Sequence, residues 1–147
     1  MAAGAEALAL GSIVLVVATL LVVNAWAVLD TRTALESATR EYLRAYTEAD
    51  SPGAAAHDGE RSARTVLDER PALADIVQLS PPDPGAFGPC APAMVTMSAE
   101  VPAVRIPFIV DGWGRHIVTV RAVELIDAHQ EMTRGAAYDL TRTACDE

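Results

Sequence analysis

The first feature of the chain is a long apolar run near its N-terminus. Residues 7–29 carry no charged side chain, and their only clearly polar residues are Ser12, Thr19 and Asn24. A helix of 23 residues is about 34 Å long, enough to cross the hydrocarbon core of a bilayer. Trp26 lies near the far end, where interfacial aromatic residues are common. The pattern therefore predicts a membrane-spanning helix over residues 7–29.

A cleaved signal sequence is the alternative interpretation of this run. Ala25-Trp26-Ala27 has the small-x-small form of a signal-peptidase site. The residues before the run include no Lys or Arg, and the run is longer than the usual apolar region of ~7–15 residues. These two features favour a retained helix. Because most of the chain follows the helix, the simplest orientation has a cytoplasmic N-terminus and an exoplasmic C-terminal domain.

Beyond the apolar run the pattern becomes that of an amphipathic helix. Apolar residues recur three or four positions apart, at Leu35, Ala38, Tyr42, Ala45 and Ala49. No Gly or Pro interrupts residues 12–51, so one continuous helix of about 40 residues is predicted. Ser51-Pro52-Gly53 is expected to end it. Residues 30–51 are thus the exoplasmic continuation of the membrane helix.

The remaining pattern predicts one more helix and a small sheet. A helix is expected over residues 59–69, ended by Pro71, and a first strand over residues 74–79. The proline-rich residues 80–85 are interpreted as a rigid loop.

Two further strands are expected to pair as an antiparallel hairpin. Apolar and polar residues alternate over 95–103, and residues 117–126 are rich in Val and Ile. Pro102 places the far end of the first of these strands at an edge or a bulge.

The predicted fold class is therefore α+β. It comprises a long N-terminal helix (transmembrane, then amphipathic), a second short helix, and a small antiparallel sheet with a C-terminal hairpin. Residues 1–6 form a short N-terminal segment, and residues 52–147 form a small exoplasmic domain with a polar C-terminal tail.

Composition narrows the possible functions. The formal net charge of −9 argues against a nucleic-acid partner, which needs a basic surface. All 11 basic residues are Arg, so no lysine is available for a Schiff base or a phosphate-binding loop. His57, His116 and His129 lack the spacing of metal ligands. We expect no enzymatic activity, no cofactor, no metal and no small-molecule substrate.

The two cysteines, Cys90 and Cys145, are expected to form one disulfide in an exoplasmic domain. The bridge would attach the tail to the sheet. Free or intermolecular thiols are the alternative.

Two segments resemble the TadE-like pilins, minor pilin-like proteins of bacterial tight-adherence (Flp-type) systems, in the actinobacterial form. One is Glu6-Ala7-Leu8-Ala9-Leu10, which enters the apolar run. The other extends from Val95-Thr96-Met97 through Ile106-Pro107 to Ile117-Val118-Thr119-Val120-Arg121-Ala122-Val123-Glu124. The resemblance covers most of the chain, is a likeness of pattern, and includes no catalytic signature.

The resemblance implies a leader cleaved after a Gly, with a Glu at the fifth mature position. Here the sequence departs, because Gly4 precedes Ala5-Glu6 and would place the Glu second. A mature chain beginning at Ala2 would place Glu6 fifth. The Glu6 carboxylate is expected in the first turn of the helix, where the helix dipole favours an anion, and in a pilin assembly it could pair with the α-ammonium of a neighbouring subunit. Alternatively, Glu6 lies unpaired among lipid headgroups.

The expected function is that of a structural component of a Flp/Tad-type pilus assembly or secretion system. Gly4, Ala7 and Gly11 are small enough for close contact between helices. The expected partners are other pilin or pilus-assembly subunits, bound through the N-terminal helix, and the lipid bilayer. The alternative is a single-pass anchored or secreted binding module with no role in a filament.

Overall fold

The computed structural model describes residues 2–104 and 113–127. Their elements are α1 (Ala2–Thr47), α2 (Pro52–Leu67), α3 (Pro71–Ala74), β1 (Val77–Ser80), one 3-10 turn (Pro84–Ala86), β2 (Pro92–Val104) and β3 (Trp113–Leu125). The α+β prediction, with a long first helix and a C-terminal hairpin, is confirmed.

Helix α1 is continuous over 46 residues, as the absence of internal Gly and Pro beyond Ser12 predicted. Its second half carries pairs of opposite charge four residues apart, Arg32–Glu36 at 2.9 Å and Arg44–Glu48 at 3.3 Å. Such pairs support a helix by a few tenths of a kcal/mol each. The helix ends at Thr47, four residues before the predicted end at Ser51.

The prediction for Ser51-Pro52-Gly53 was wrong, because these residues begin α2. The Ser51 hydroxyl accepts a hydrogen bond from the Ala54 amide at 3.3 Å, and Pro52 occupies the first helical position. Both features are typical of a helix N-terminus, since the cap satisfies an amide that lacks a helical partner. Pro71 likewise begins α3, whereas α2 has already ended at Leu67.

The sheet has the order β1-β2-β3, and both pairs are antiparallel. The predicted hairpin is confirmed, with the register Pro92↔Leu125 at one end and Val104↔Trp113 at the other. The pairing of β1 with β2 reaches only Ala99. Pro102 therefore lies where β2 pairs with β3 alone among the described strands, a position that tolerates its missing amide.

The core lies between the second half of α1, α2 and the inner face of the sheet. Its largest fully buried side chains are Tyr42, Tyr46, Leu35, Met97, Ile126, Val95 and Thr39. The predicted apolar stripe of α1 is confirmed, since Leu35, Ala38, Tyr42 and Ala49 are buried and Ala45 is half-buried. The stripe thus attaches α1 to the domain.

Candidate assembly surface on the first half of α1

The first half of α1 exposes apolar side chains on most of its circumference. Their exposed fractions range from 50% to 78%, and they are Leu8, Leu10, Ile13, Val14, Leu15, Val16, Val17, Leu21, Val22, Val23, Trp26 and Leu29. We call this set the anchor surface. The helix is long and apolar enough to cross a membrane. A patch of this extent is far larger than those on ordinary soluble monomers, so it requires lipid or other apolar partners.

The hydroxyl groups within the anchor surface are satisfied inside the helix. The Ser12 hydroxyl donates to the Ala9 carbonyl, and that of Thr19 donates to the Leu15 carbonyl, both at 2.8 Å. An unsatisfied donor in hydrocarbon costs several kcal/mol. These bonds remove that cost, so neither residue opposes burial of the surface in lipid.

Three small residues predicted to mediate packing lie on this half of the helix. Gly4, Ala7 and Gly11 are three and four positions apart in α1, a spacing that brings them to one face. A Cβ added at Gly11 would meet no atom within 4 Å. The position is therefore open to a neighbouring helix. The side chain of Glu6 lies outside the described part, so its predicted role is untested.

Where α1 enters the domain, a groove of about 300 Å³ separates it from neighbouring elements. One wall is α1 from Ala27 to Thr31, and the others are formed by α3, Ile76, Val101 and Pro102. An ion pair at this groove joins Asp30 to Arg70 at 3.2 Å. We call it the junction groove.

An aromatic cluster packs around the C-terminal end of α1. The Tyr42 and Tyr46 rings stack with their centroids 5.9 Å apart, and Tyr46 meets Phe87 edge-on at 5.5 Å. Burial, with the neighbouring Tyr46 and Glu60, raises the pKa of Tyr42 to about 12. Burial also raises the pKa of Tyr46. Both phenols therefore remain neutral at physiological pH and act as packing groups.

Gly59 allows the close approach of α2 to this cluster, a role the sequence reasoning missed. A Cβ added at Gly59 would lie 3.0 Å from the Tyr42 ring. The only sequence signal was a Gly inside a helical pattern, where it is normally unfavourable.

The described histidines and acidic residues form no recognisable reactive centre. His57 lies 3.2 Å from the Asp58 carboxylate on the exposed side of α2, and His116 is exposed on β3. His129 lies outside the described residues. Over residues 2–104 and 113–127, no three His, Cys, Asp or Glu residues are close enough to hold a metal ion. The expectation of no catalysis stays a prediction.

Cys90 lies in a tight turn immediately before β2. The Ala91 amide donates to the Gly88 carbonyl at 3.0 Å, and Cys90 has a φ of 60°. With Pro89 before it, this is the geometry of a type II turn, whose third position normally favours Gly. Cys145 lies outside the described residues, so the bridge between the two cysteines stays a prediction.

Comparison with protein-family models, with curated proteins and with solved structures finds no match to this chain.

Proposed function

We propose that this protein is a membrane-anchored, TadE-like structural subunit of a bacterial Flp/Tad-type pilus assembly or secretion system. One observation carries the proposal: a single uninterrupted helix has an exposed apolar first half and a second half buried in the domain. In this function the anchor surface lies in the membrane, with the N-terminus cytoplasmic and the domain exoplasmic.

Assembly through the first half of α1 is supported by its surface chemistry. Helices in lipid associate by close van der Waals packing, for which small residues are favoured. Gly11 offers such a contact, since no described residue of this chain fills the space beside it. Neighbouring helices can replace lipid around the anchor surface with little change in the polarity of its surroundings.

The proposal includes a Cys90–Cys145 disulfide in the exoplasmic domain. It would close a loop of about 55 residues and stabilise the domain by roughly 4 kcal/mol on the loop-entropy model. The intact mass of the unreduced protein from host membranes tests the bridge. A mass two hydrogens below that of the dithiol is expected, and a dithiol mass would refute the bridge.

Substitution of Gly11 tests the assembly function. Because the position is open, Gly11→Leu leaves the packing of the subunit intact and obstructs only a neighbouring helix. Gly53→Leu is the matched control, since a Cβ there also meets nothing within 4 Å and Gly53 lies outside the anchor surface. The readout is the amount of other pilus subunits that co-purifies with each variant from host membranes.

We expect Gly11→Leu to lose co-purifying subunits several-fold and Gly53→Leu to retain them. Equal recovery with both variants, together with tolerance of Glu6→Ala, would refute assembly and leave a tethered binding module. A protein in host cells that begins at Val28 would instead show cleavage after Ala27. The product would then be a secreted domain, and the membrane anchor itself would be refuted.

A further inference from the structure

The domain covers one side of α1 further toward the N-terminus than the predicted membrane boundary at Leu29. Asn24 is only 8% exposed and Thr31 only 9%, whereas Trp26 and Leu29 on other sides are 73% and 59% exposed. Leu20 and Val28 are half-buried on the same side as Asn24. The domain therefore overlaps the apolar segment over at least residues 24–29, about 7.5 Å along the helix.

The end of the domain nearest the anchor surface is set by the direction of β2. Phe87, just before β2, contacts Tyr46 in the last turns of α1. At the other end of the strand, Val101 and Pro102 lie beside Ala27 and Thr31. Strand β2 thus runs antiparallel to α1, and its pairing with β3 continues two residues past Pro102 to Val104.

Bilayer dimensions locate this end of the domain. The headgroup layer on each side of the hydrocarbon core is about 5–8 Å thick, close to the length of the overlap. If the hydrocarbon core of the bilayer ends near Asn24, residues 7–23 alone span about 25 Å of it, within the accepted range for a membrane helix. The junction groove then lies at the level of the headgroups.

The side chains at this end suit that layer. Ile76, at the junction groove, is 41% exposed. Two ion pairs lie at this end, Asp30 with Arg70 at 3.2 Å and Glu100 with Arg115 at 3.2 Å. Paired charges beside apolar groups are compatible with a zone that is partly polar and partly hydrocarbon.

We propose that the domain end formed by α3, Ile76 and Pro102 lies in the headgroup layer of the bilayer beside α1, with lipid occupying the junction groove. This inference rests on the membrane anchor of the proposed function. The domain would thereby make a second contact with the membrane, which fixes the tilt of α1 and the domain together relative to the bilayer.

Tryptophan quenching by brominated phospholipids tests this contact with the full chain in vesicles of phosphatidylcholine and phosphatidylglycerol. The Ile76→Trp and Ala72→Trp variants, in a Trp26→Phe, Trp113→Phe background, report on the groove. Leu125→Trp in the same background is the matched control. It is similarly exposed, at 62%, but lies at the opposite end of the β2–β3 pair. The Trp113→Phe protein, which retains Trp26, reports on insertion of the helix.

We expect quenching several-fold stronger for Ile76→Trp and Ala72→Trp than for Leu125→Trp, with Trp26 also quenched. If Trp26 is quenched while both groove variants behave like Leu125→Trp, the anchor stands and the second contact is refuted. Quenching absent from Trp26 would refute the anchor and with it this inference. If the tryptophans of the groove variants have blue-shifted emission but are not quenched, a protein neighbour, such as a second copy, occupies the groove in place of lipid.

Discussion

The two halves of α1 have the same backbone and very different surroundings. Leu15, in the first half, is 68% exposed, whereas Leu35, in the second, is completely buried. The difference follows from how the apolar residues are distributed around each half of the helix. Residues 7–29 are apolar on every side, which suits lipid, whereas the second half has one apolar stripe, which suits a protein core.

The comparison also shows which neighbours stabilise each half. The second half depends on α2 and the sheet, since its stripe packs into the aromatic cluster and against the inner faces of β2 and β3. The first half exposes apolar side chains on most of its circumference, so it requires an apolar environment there. A change in one half should therefore leave the other nearly unaffected.

The largest expected difference comes from truncating one leucine in each half. Leu35→Ala should lower the free energy of unfolding of the domain by roughly 3 kcal/mol, because a buried leucine leaves a cavity. Leu15→Ala should change it by less than about 0.5 kcal/mol, since the residue lies outside the core. Chemical denaturation in detergent, followed by circular dichroism of the sheet, measures both. Equal losses would contradict the separation of the two halves.

High pH should also distinguish the halves. Well below pH 10 the Tyr42 phenol is neutral in the folded and the unfolded chain, so its full contribution to the stability of the domain is present. As pH rises from 10 to about 12, the unfolded chain ionises first and the domain loses about 2–3 kcal/mol of stability. The first half has no ionisable side chain over residues 7–29, so its association with vesicles should not change over that range.

Denaturation at a series of pH values measures this loss, and Tyr42→Phe is the control. Because phenylalanine cannot ionise, the variant should retain most of its stability up to pH 12, apart from the smaller contribution of Tyr46. An identical pH profile for the wild type and Tyr42→Phe would exclude Tyr42 as the cause.

The contact between α2 and the second half of α1 should be sensitive to a single methyl group. Gly59→Ala places a Cβ 3.0 Å from the Tyr42 ring. Overpacking costs about 1–3 kcal/mol, and the helix propensity of Ala returns about 1 kcal/mol. The free energy of unfolding, measured by thermal denaturation, is expected to fall by roughly 1 kcal/mol.

Gly53→Ala is the control for this change, since it meets nothing within 4 Å and should be neutral or slightly stabilising. Combining Gly59→Ala with Tyr42→Leu should remove the clash, so the two changes should not be additive. Strict additivity would show that the ring is not the obstacle.

The elements set by local periodicity could be predicted from the sequence. The apolar run, the stripe from Leu35 to Ala49 and the alternation around Val95 each repeat over several residues, and one burial pattern explains each. These patterns gave the fold class, the hairpin and the division of α1.

The features that depend on distant contacts could not be predicted. Ser51-Pro52-Gly53 is typical both of a helix end and of a helix start, and the choice depends on how α2 packs against α1. The packing role of Gly59 depends on Tyr42, which is 17 positions away in the sequence. Asn24 is only 8% exposed because of how the domain packs against α1, and no local pattern contains that relation.

The smallest expected effect concerns the ion pair at the boundary between the two halves. The Asp30 and Arg70 side chains are 48% and 38% exposed, and exposed pairs contribute at most about 1 kcal/mol. Arg70→Met should therefore lower the free energy of unfolding by less than about 1 kcal/mol in detergent, and this loss should be smaller in ~1 M salt, where screening is strong.

Arg64→Met is the control, because Arg64 pairs with Glu60 inside α2. It should have the same small effect in detergent and in vesicles. Arg70→Met should cost more in vesicles if the pair lies among headgroups, where water is scarcer, so an equal cost in both would place the boundary between the halves in bulk solvent.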